Sequence, residues 1–370
     1  MTPRDGFLTT VRGGTADRVP MELAGFQFAS RSEVDAQPDP LRREVAHRVF
    51  DATFFRAIVP SHINRYLITP PQAIQTRVRT LPNGVRRTDG VIRTPKGDLT
   101  FASEFNPIAS TGWQVTYPVE SESDIEKIAS VAWELPQGLA PPDMDRMPEG
   151  FDKRGVLETR ISSPFVCVAG MMRYERFLEL ALTRPDLIAE LTEICRRRTL
   201  DVLAVLLSKP GIEYVWLGGS EWVTPPMASP AIYDALVQAQ ERDLIAYIHG
   251  HSDAVVHIHC HGHVRRALLR SIERGADYTE PVEPPPDGDI TMAEAKKLAA
   301  GRITLGGNIE CRILCNETED EVEAAVRAAF DGGKHRFALR PTEGPSPRMS
   351  EQECRNYMRM IDVWEDLSLI

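Results

Sequence analysis

Tyr214-Val215-Trp216-Leu217-Gly218-Gly219 is an apolar run closed by glycine, and together with the segments after it sets the fold class. The run reads as a buried strand. Ser229-Pro230 then opens a helix, with serine at the N-cap and proline in the first turn. Ile232, Leu236, Val237, Leu244, Ile245 and Ile248 form its apolar stripe, which Gly250 closes. Next comes Val255-Val256-His257-Ile258-His259-Cys260-His261-Gly262-His263, a strand with histidine at every second place. After it, a helix carrying Val264, Leu268 and Ile272 stops at Gly275. Asp277-Tyr278-Thr279-Glu280, Ile303-Thr304-Leu305-Gly306 and Arg336-Phe337-Ala338-Leu339 continue as strands. Between them, Thr291-Met292-Ala293-Glu294 and Thr318-Glu319-Asp320-Glu321 are capping boxes, and Ser350 caps the terminal helix. Strand alternating with helix in this way predicts a parallel sheet.

Towards the N-terminus, Val19-Pro20-Met21-Glu22-Leu23 and Gly155-Val156-Leu157-Glu158 read as earlier strands, and Pro185 opens a helix with Leu187, Ile188, Leu191 and Ile194. About eight strand–helix units fit, so the expected class is α/β, a (β/α)8 TIM barrel, rather than a doubly wound sheet. No Gly-x-Gly-x-x-Gly follows a strand and no Walker sequence occurs, which argues against nucleotide-binding folds. Turn signals at Pro82-Asn83-Gly84, Thr88-Asp89-Gly90 and Pro95-Lys96-Gly97-Asp98 mark residues 80–117 as an inserted antiparallel β-meander. Residues 1–370 are expected to form a single barrel domain, with the proline-rich stretch 135–148 a loop inside it.

The hydrophobic fraction of 42% suffices for a large core. The net charge of −10 argues against nucleic acid or an anionic membrane as partner. No signal-like segment and no run of about 20 apolar residues is visible. The 6 cysteines are dispersed without a Cys-x-x-Cys pair, so a reducing cytoplasm is the expected compartment. A homodimer is the base-rate expectation.

Alternate residues of a strand share a face, so His257, His259 and His261 point one way and Ile258 and Cys260 the other. Barrel active sites lie at the C-terminal strand ends. In chain order, those ends carry Glu221, then His259 and His261, then Glu280 and Glu283, then Asn308 and Glu310, then Glu343. Imidazoles flanked by carboxylates suit a divalent metal with an open position. We expect His259, His261 and Glu283 as metal ligands, Glu221 and Glu310 as catalytic acids or bases, and Asn308 as a cofactor-binding residue. The structural alternatives are loop amides on Glu283, a helix cap or arginine pair for Glu221, loop-holding roles for Asn308 and Glu310, and solvent exposure for Glu343.

These residues resemble the uroporphyrinogen decarboxylase superfamily, especially its zinc-dependent, cobalamin-linked methyltransferase branch. The carrying stretches are Asp17-Arg18-Val19-Pro20, Thr94-Pro95-Lys96-Gly97, Pro225-Pro226-Met227-Ala228-Ser229-Pro230, His259-Cys260-His261-Gly262, Gly275-Ala276-Asp277 and Leu305-Gly306-Gly307-Asn308-Ile309. The resemblance implies a barrel with a deep cleft. The decarboxylases carry arginines just after the first strand to hold the tetrapyrrole; Ala24-Gly25-Phe26-Gln27-Phe28 has none. In the methyltransferase branch a His-x-Cys pair and a later cysteine bind zinc. His259 matches the histidine, His261 stands in the cysteine's place, and no cysteine occurs between Cys315 and Cys354. A bound Zn2+ would then have nitrogen and oxygen ligands, with Glu221, Glu283 or Glu343 completing the set. Such a harder site suits an oxygen leaving group. The implied activity is transfer of a methyl group from an O-methyl small molecule to a corrinoid. No Asp-x-His-x-x-Gly cobalamin sequence occurs, so a partner corrinoid protein would bring the cofactor. The competing expectations are a metal-dependent lyase or hydrolase on the same barrel, a porphyrinogen decarboxylase, and a non-catalytic protein binding a tetrapyrrole or a metal.

Overall fold

The computed structural model describes all 370 residues. Its strands are β1 (Phe55–Val59), β2 (Ile74–Thr80), β3 (Arg86–Ile92), β4 (Leu99–Asn106), β5 (Thr111–Thr116), β6 (Gly155–Ser162), β7 (Tyr214–Gly218), β8 (Val255–His259), β9 (Tyr278–Glu280), β10 (Thr304–Ile309) and β11 (Phe337–Pro341). They form a 7-stranded sheet in the order β1-β6-β7-β8-β9-β10-β11 and a 4-stranded sheet in the order β2-β3-β4-β5. Every pairing in the first is parallel, so it is an α/β sheet with helices as crossovers. The meander pairs are antiparallel throughout.

The capping serines and threonines act as their sequence context predicts. Ser229 accepts from the Ile232 amide, Ser350 from that of Glu353, and both threonine boxes close reciprocally. The helix expected to stop at Gly250 runs through a π turn at Asp234–Gln238 and ends at His251.

Two strands differ from the sequence expectation. The meander begins at Ile74, before residue 80, because β2 is a charged, almost wholly exposed edge strand with no apolar face to betray it. β1 has no counterpart among the expected strands. Arg56 interrupts what would otherwise be a recognisable apolar run from Phe54 to Val59.

The segment 19–23, expected as a full strand, makes one parallel bridge, Met21 to Leu339. Glu22 donates its amide to the Leu339 carbonyl, and Leu339 donates to Pro20, both at 2.9 Å. Pro20 has no N–H, so the ladder ends there. On the other side, Arg56 of β1 reaches Glu22 at 2.5 Å. The Trp364 indole, on the helix Glu351–Leu367, donates to the Val19 carbonyl at 2.8 Å and anchors the segment.

The N-terminal ends of the strands are closed by the helix Pro3–Val11. Phe7, fully buried, stacks on Phe54 at 4.0 Å and lies 5.7 Å from the Tyr214 ring and 6.0 Å from that of Tyr278. With that end plugged by aromatic packing, access to the interior is from the C-terminal strand ends.

Candidate functional site

Side-by-side partners in a parallel ladder face the same way. Trp216, His257 and Tyr278 are register partners, as are Gly218, His259 and Glu280 one step nearer the opening. Two glycines make room for this layer. A Cβ on Gly218 would stand 2.1 Å from the Trp216 ring, and one on Gly306 would stand 2.1 Å from the Tyr278 hydroxyl. Trp216 consequently lies against His259, with ring centroids 5.1 Å apart.

Below the opening, charged groups run around the inside of the sheet. Arg56 lies 3.1 Å from Glu158 and 2.5 Å from Glu22; Arg340 lies 2.9 Å from Glu22 and 2.8 Å from Glu280. Tyr278 donates to Glu22 at 3.2 Å. All these side chains are buried, and each charge has an opposite partner, the condition under which charges survive away from water. Burial opposes ionisation of Glu280. Arg340, His259 and His257 outweigh it and hold the carboxyl well below its usual range.

The chain of charges ends at the histidines. Glu280 Oε1 lies 2.8 Å from His257 Nε2 and 2.8 Å from His259 Nδ1. Burial pushes the His257 pKa down to about 4, so this imidazole is neutral. His261 lies just past the end of β8, yet its ring centroid is 4.7 Å from that of His259. Its Nδ1 meets Glu283 Oε1 at 2.8 Å, and its Nε2 faces Glu343 at 3.5 Å. Burial works against charge on His261, but the Glu283 hydrogen bond and the charges of Glu283, Glu280 and Glu343 raise its pKa overall.

The other expected site residues spread around this cluster. Glu283 spends Oε1 on His261 and Oε2 on the Gly262 amide at 2.5 Å. Glu310 is buried with Oε1 unpartnered; burial, then the charges of Glu283 and Asp287, raise its pKa to about 7. Asn308 is the register partner of Arg340 and faces the interior with it. Glu221 accepts from the Gly219 amide at 3.0 Å and lines a cavity of about 560 Å³ with His261, Trp222, Tyr117 and Tyr174. Glu343 is largely exposed. Cys260 faces the helices as expected, with Sγ 3.3 Å from the Thr224 hydroxyl.

The sequence places Glu280 at a strand end without a role, and assigns none to Arg340, Glu22 or Arg56. Glu280 carries a signal, as the last residue of its strand. Arg56 and Glu22 lie on segments whose neighbours in the sheet are remote in the chain, and no local pattern announces them. A donor set also lies deeper than the expected one: ligand atoms of His257, His259 and Glu280 all fall within 4.8 Å of one another.

Residues 106–364 match the family model described as uroporphyrinogen decarboxylase (URO-D). The chain belongs to that family. No curated protein matches it. Among solved structures, a methyltransferase from Methanosarcina mazei aligns with a TM-score of 0.60 at 13% identity, covering 99% of this chain and 99% of that one. A B12-independent methionine synthase from Shewanella sp. W3-18-1 aligns with a TM-score of 0.37 at 10% identity, covering 80% of this chain and 75% of that one. No helix is long and apolar enough to cross a membrane.

Proposed function

We propose that this URO-D family member is a zinc-dependent methyltransferase that moves a methyl group from an O-methyl small molecule to the cobalt of a corrinoid carried by a partner protein. We take the segment 19–23 as the eighth stave of a (β/α)8 barrel that Glu22 closes through Arg56 and Arg340.

The observation that carries the reading is the state of the two rim histidines. Each Nδ1 is already engaged by a carboxylate, His259 by Glu280 and His261 by Glu283, at 2.8 Å. That bond fixes the proton on Nδ1 and leaves the Nε2 lone pair free, as in carboxylate–histidine–zinc arrangements. His259 and His261 are therefore assigned as ligands through Nε2. Glu343, beside His261 Nε2, is assigned as the carboxylate ligand, and Glu283, whose oxygens are both occupied, as the group that orients His261. The deeper set of His257, His259 and Glu280 is the competing position, favoured by the closeness of its donor atoms.

Zinc at this place would supply Lewis-acid polarisation of a substrate oxygen. Glu310, with a pKa of about 7, carries a proton near neutral pH and serves as the acid that delivers it to the departing oxygen. Asn308 and Glu221 flank the opening as polar contacts for what enters. The missing arginines at residues 24–28 speak against porphyrinogen decarboxylation.

The test combines purified protein, 4-methoxybenzoate and chemically reduced cobalamin. The expected result is formation of methylcobalamin with one phenol per methyl group, dependent on zinc. Phenol released together with one methanol and without methylcobalamin would replace this reading with hydrolysis.

A further inference from the structure

The helix Cys311–Asn316 carries two thiols that the rim chemistry does not use. Cys311 and Cys315 stand four residues apart, so they share one helical face, and both are half-buried. Both turn towards the segment 343–346. Cys311 Sγ accepts from the Glu343 amide at 3.1 Å, and its thiol donates to the Gly344 carbonyl at 3.8 Å. Cys315 Sγ lies 3.5 Å from the Ser346 hydroxyl. Tyr357 comes in from the helix Glu351–Leu367. Its hydroxyl is buried, without a hydrogen-bond partner, beside Cys311, Glu353 and Cys315.

The frame around the sulfurs is pinned. Asn356 donates to the Leu314 carbonyl at 3.0 Å and to that of Glu317 at 2.7 Å, which ties the short helix to the terminal one. Glu353 accepts from the Ser346 amide at 2.8 Å and fixes the facing segment. A donor group thus stands at each sulfur, the Glu343 amide at Cys311 and the Ser346 hydroxyl at Cys315. Such bonds stabilise the thiolate, the form that ligates metal. At rest, burial keeps Cys311 protonated, with its pKa pushed up to about 11. Helical spacing decides what can join the pair. A disulfide needs Cβ atoms about 3.5–4.5 Å apart. Residues four apart on a helix hold theirs at about 5–6 Å. An ion with metal–sulfur bonds of about 2.3 Å fits between them. Zinc would need further ligands. No histidine or carboxylate closes on this pair as a third, since the chain's one such triple is His257, His259 and Glu280.

We infer that Cys311 and Cys315 form a two-thiolate site for a soft monovalent cation of the Cu(I) class, separate from the rim histidines. Soft thiolates select such an ion, and two sulfurs alone satisfy its low coordination number. Binding releases both thiol protons to solvent and forms two sulfur–copper bonds; nothing is oxidised. The Glu343 amide and the Ser346 hydroxyl then donate to charged sulfurs, and the Tyr357 hydroxyl gains the acceptor it lacks. The site stands whether or not the chain transfers methyl groups.

The experiment titrates the full chain, reduced and anaerobic, with Cu(I) against the coloured chelator bathocuproine disulfonate. Wild type and the double variant His259→Ala/His261→Ala should each withdraw one equivalent with like affinity. Cys311→Ser and Cys315→Ser should each weaken binding by about 100-fold or more, beyond the loss typical of a group that only orients a ligand. Ser346→Ala and Tyr357→Phe leave both thiols in place and remove only a donor. Each should weaken binding by about tenfold. Circular dichroism of the metal-free variants checks that they are folded. No uptake by wild type, undiminished uptake in either cysteine variant, or loss of the equivalent in the histidine variant would each overturn the inference.

Discussion

Replacing Arg340 by methionine tests the buried ring of charges on which the histidines depend. Arg340 sits 2.9 Å from Glu22 and 2.8 Å from Glu280, and all three side chains are buried. Removing one member of such a pair strands a carboxylate away from water and costs about 3–5 kcal/mol. Glu22 keeps Arg56, so the loss falls mainly on Glu280. With an unfolding entropy of about 2.1 cal/mol/K per residue, 370 residues give roughly 0.8 kcal/mol/K, and Tm should drop by roughly 4–6 °C at pH 7. The pH dependence comes from Glu280. Its folded pKa lies well below the unfolded 4.5, so its contribution is present above about pH 4.5 and lost as pH falls through the folded value. The Arg340→Met deficit should therefore be complete at pH 6–7 and narrow by pH 4. Thermal melts followed by circular dichroism at pH 4, 5, 6 and 7 measure both quantities. Adding Glu280→Gln removes the stranded charge and should recover most of the lost stability. A deficit below about 1 kcal/mol, or one of equal size at pH 4 and pH 7, would show that Glu280 is not held as an anion by this arginine.

His261→Ala should lose bound zinc while His257→Asn retains about one equivalent by elemental analysis; the opposite pattern would move the ion to the deeper donor set. Because the His261 pKa is raised, protons compete with the metal there, and zinc affinity in titrations should fall by about tenfold for each pH unit below that raised value. Glu310 has a folded pKa of about 7, above its ordinary 4.5, so its ionisation destabilises the fold increasingly as pH rises between those values. Glu310→Gln should flatten the stability profile from pH 5 to 8, gaining up to about 3 kcal/mol at the alkaline end, and should lower methyl transfer by about 10²-fold or more. Denaturant titration and single-turnover rates read these two effects. Phe7→Ala removes the aromatic plug from the floor of the sheet and should cost about 3–5 kcal/mol in urea unfolding, with zinc stoichiometry unchanged at low temperature.

The chemistry attributed to the rim depends on layers beneath it. Phe7 and its aromatic neighbours seal the floor, and the ring of Glu158, Arg56, Glu22, Arg340 and Glu280 carries charge through the interior. Glu280 hydrogen-bonds His259 and lies against His257, and Gly218 and Gly306 admit the Trp216 and Tyr278 rings that pack around them. Each layer restricts the one above it, which is what a site with defined imidazole orientation requires.

Local patterns in the chain determined the parallel α/β architecture, the capped helix starts, the meander and the shared face of the β8 histidines. These are written in short-range periodicity and turn chemistry, which act over a few residues. The fold alone decided that segment 19–23 shrinks to one bridge at Met21, that Arg56 lies inside a strand, and that Glu280 lies against both His257 and His259. The same holds for Glu283, whose oxygens turn to His261 and Gly262. Which carboxylate meets which imidazole depends on register between strands far apart in sequence. That register is set by packing of the whole sheet, so no window of the sequence contains it.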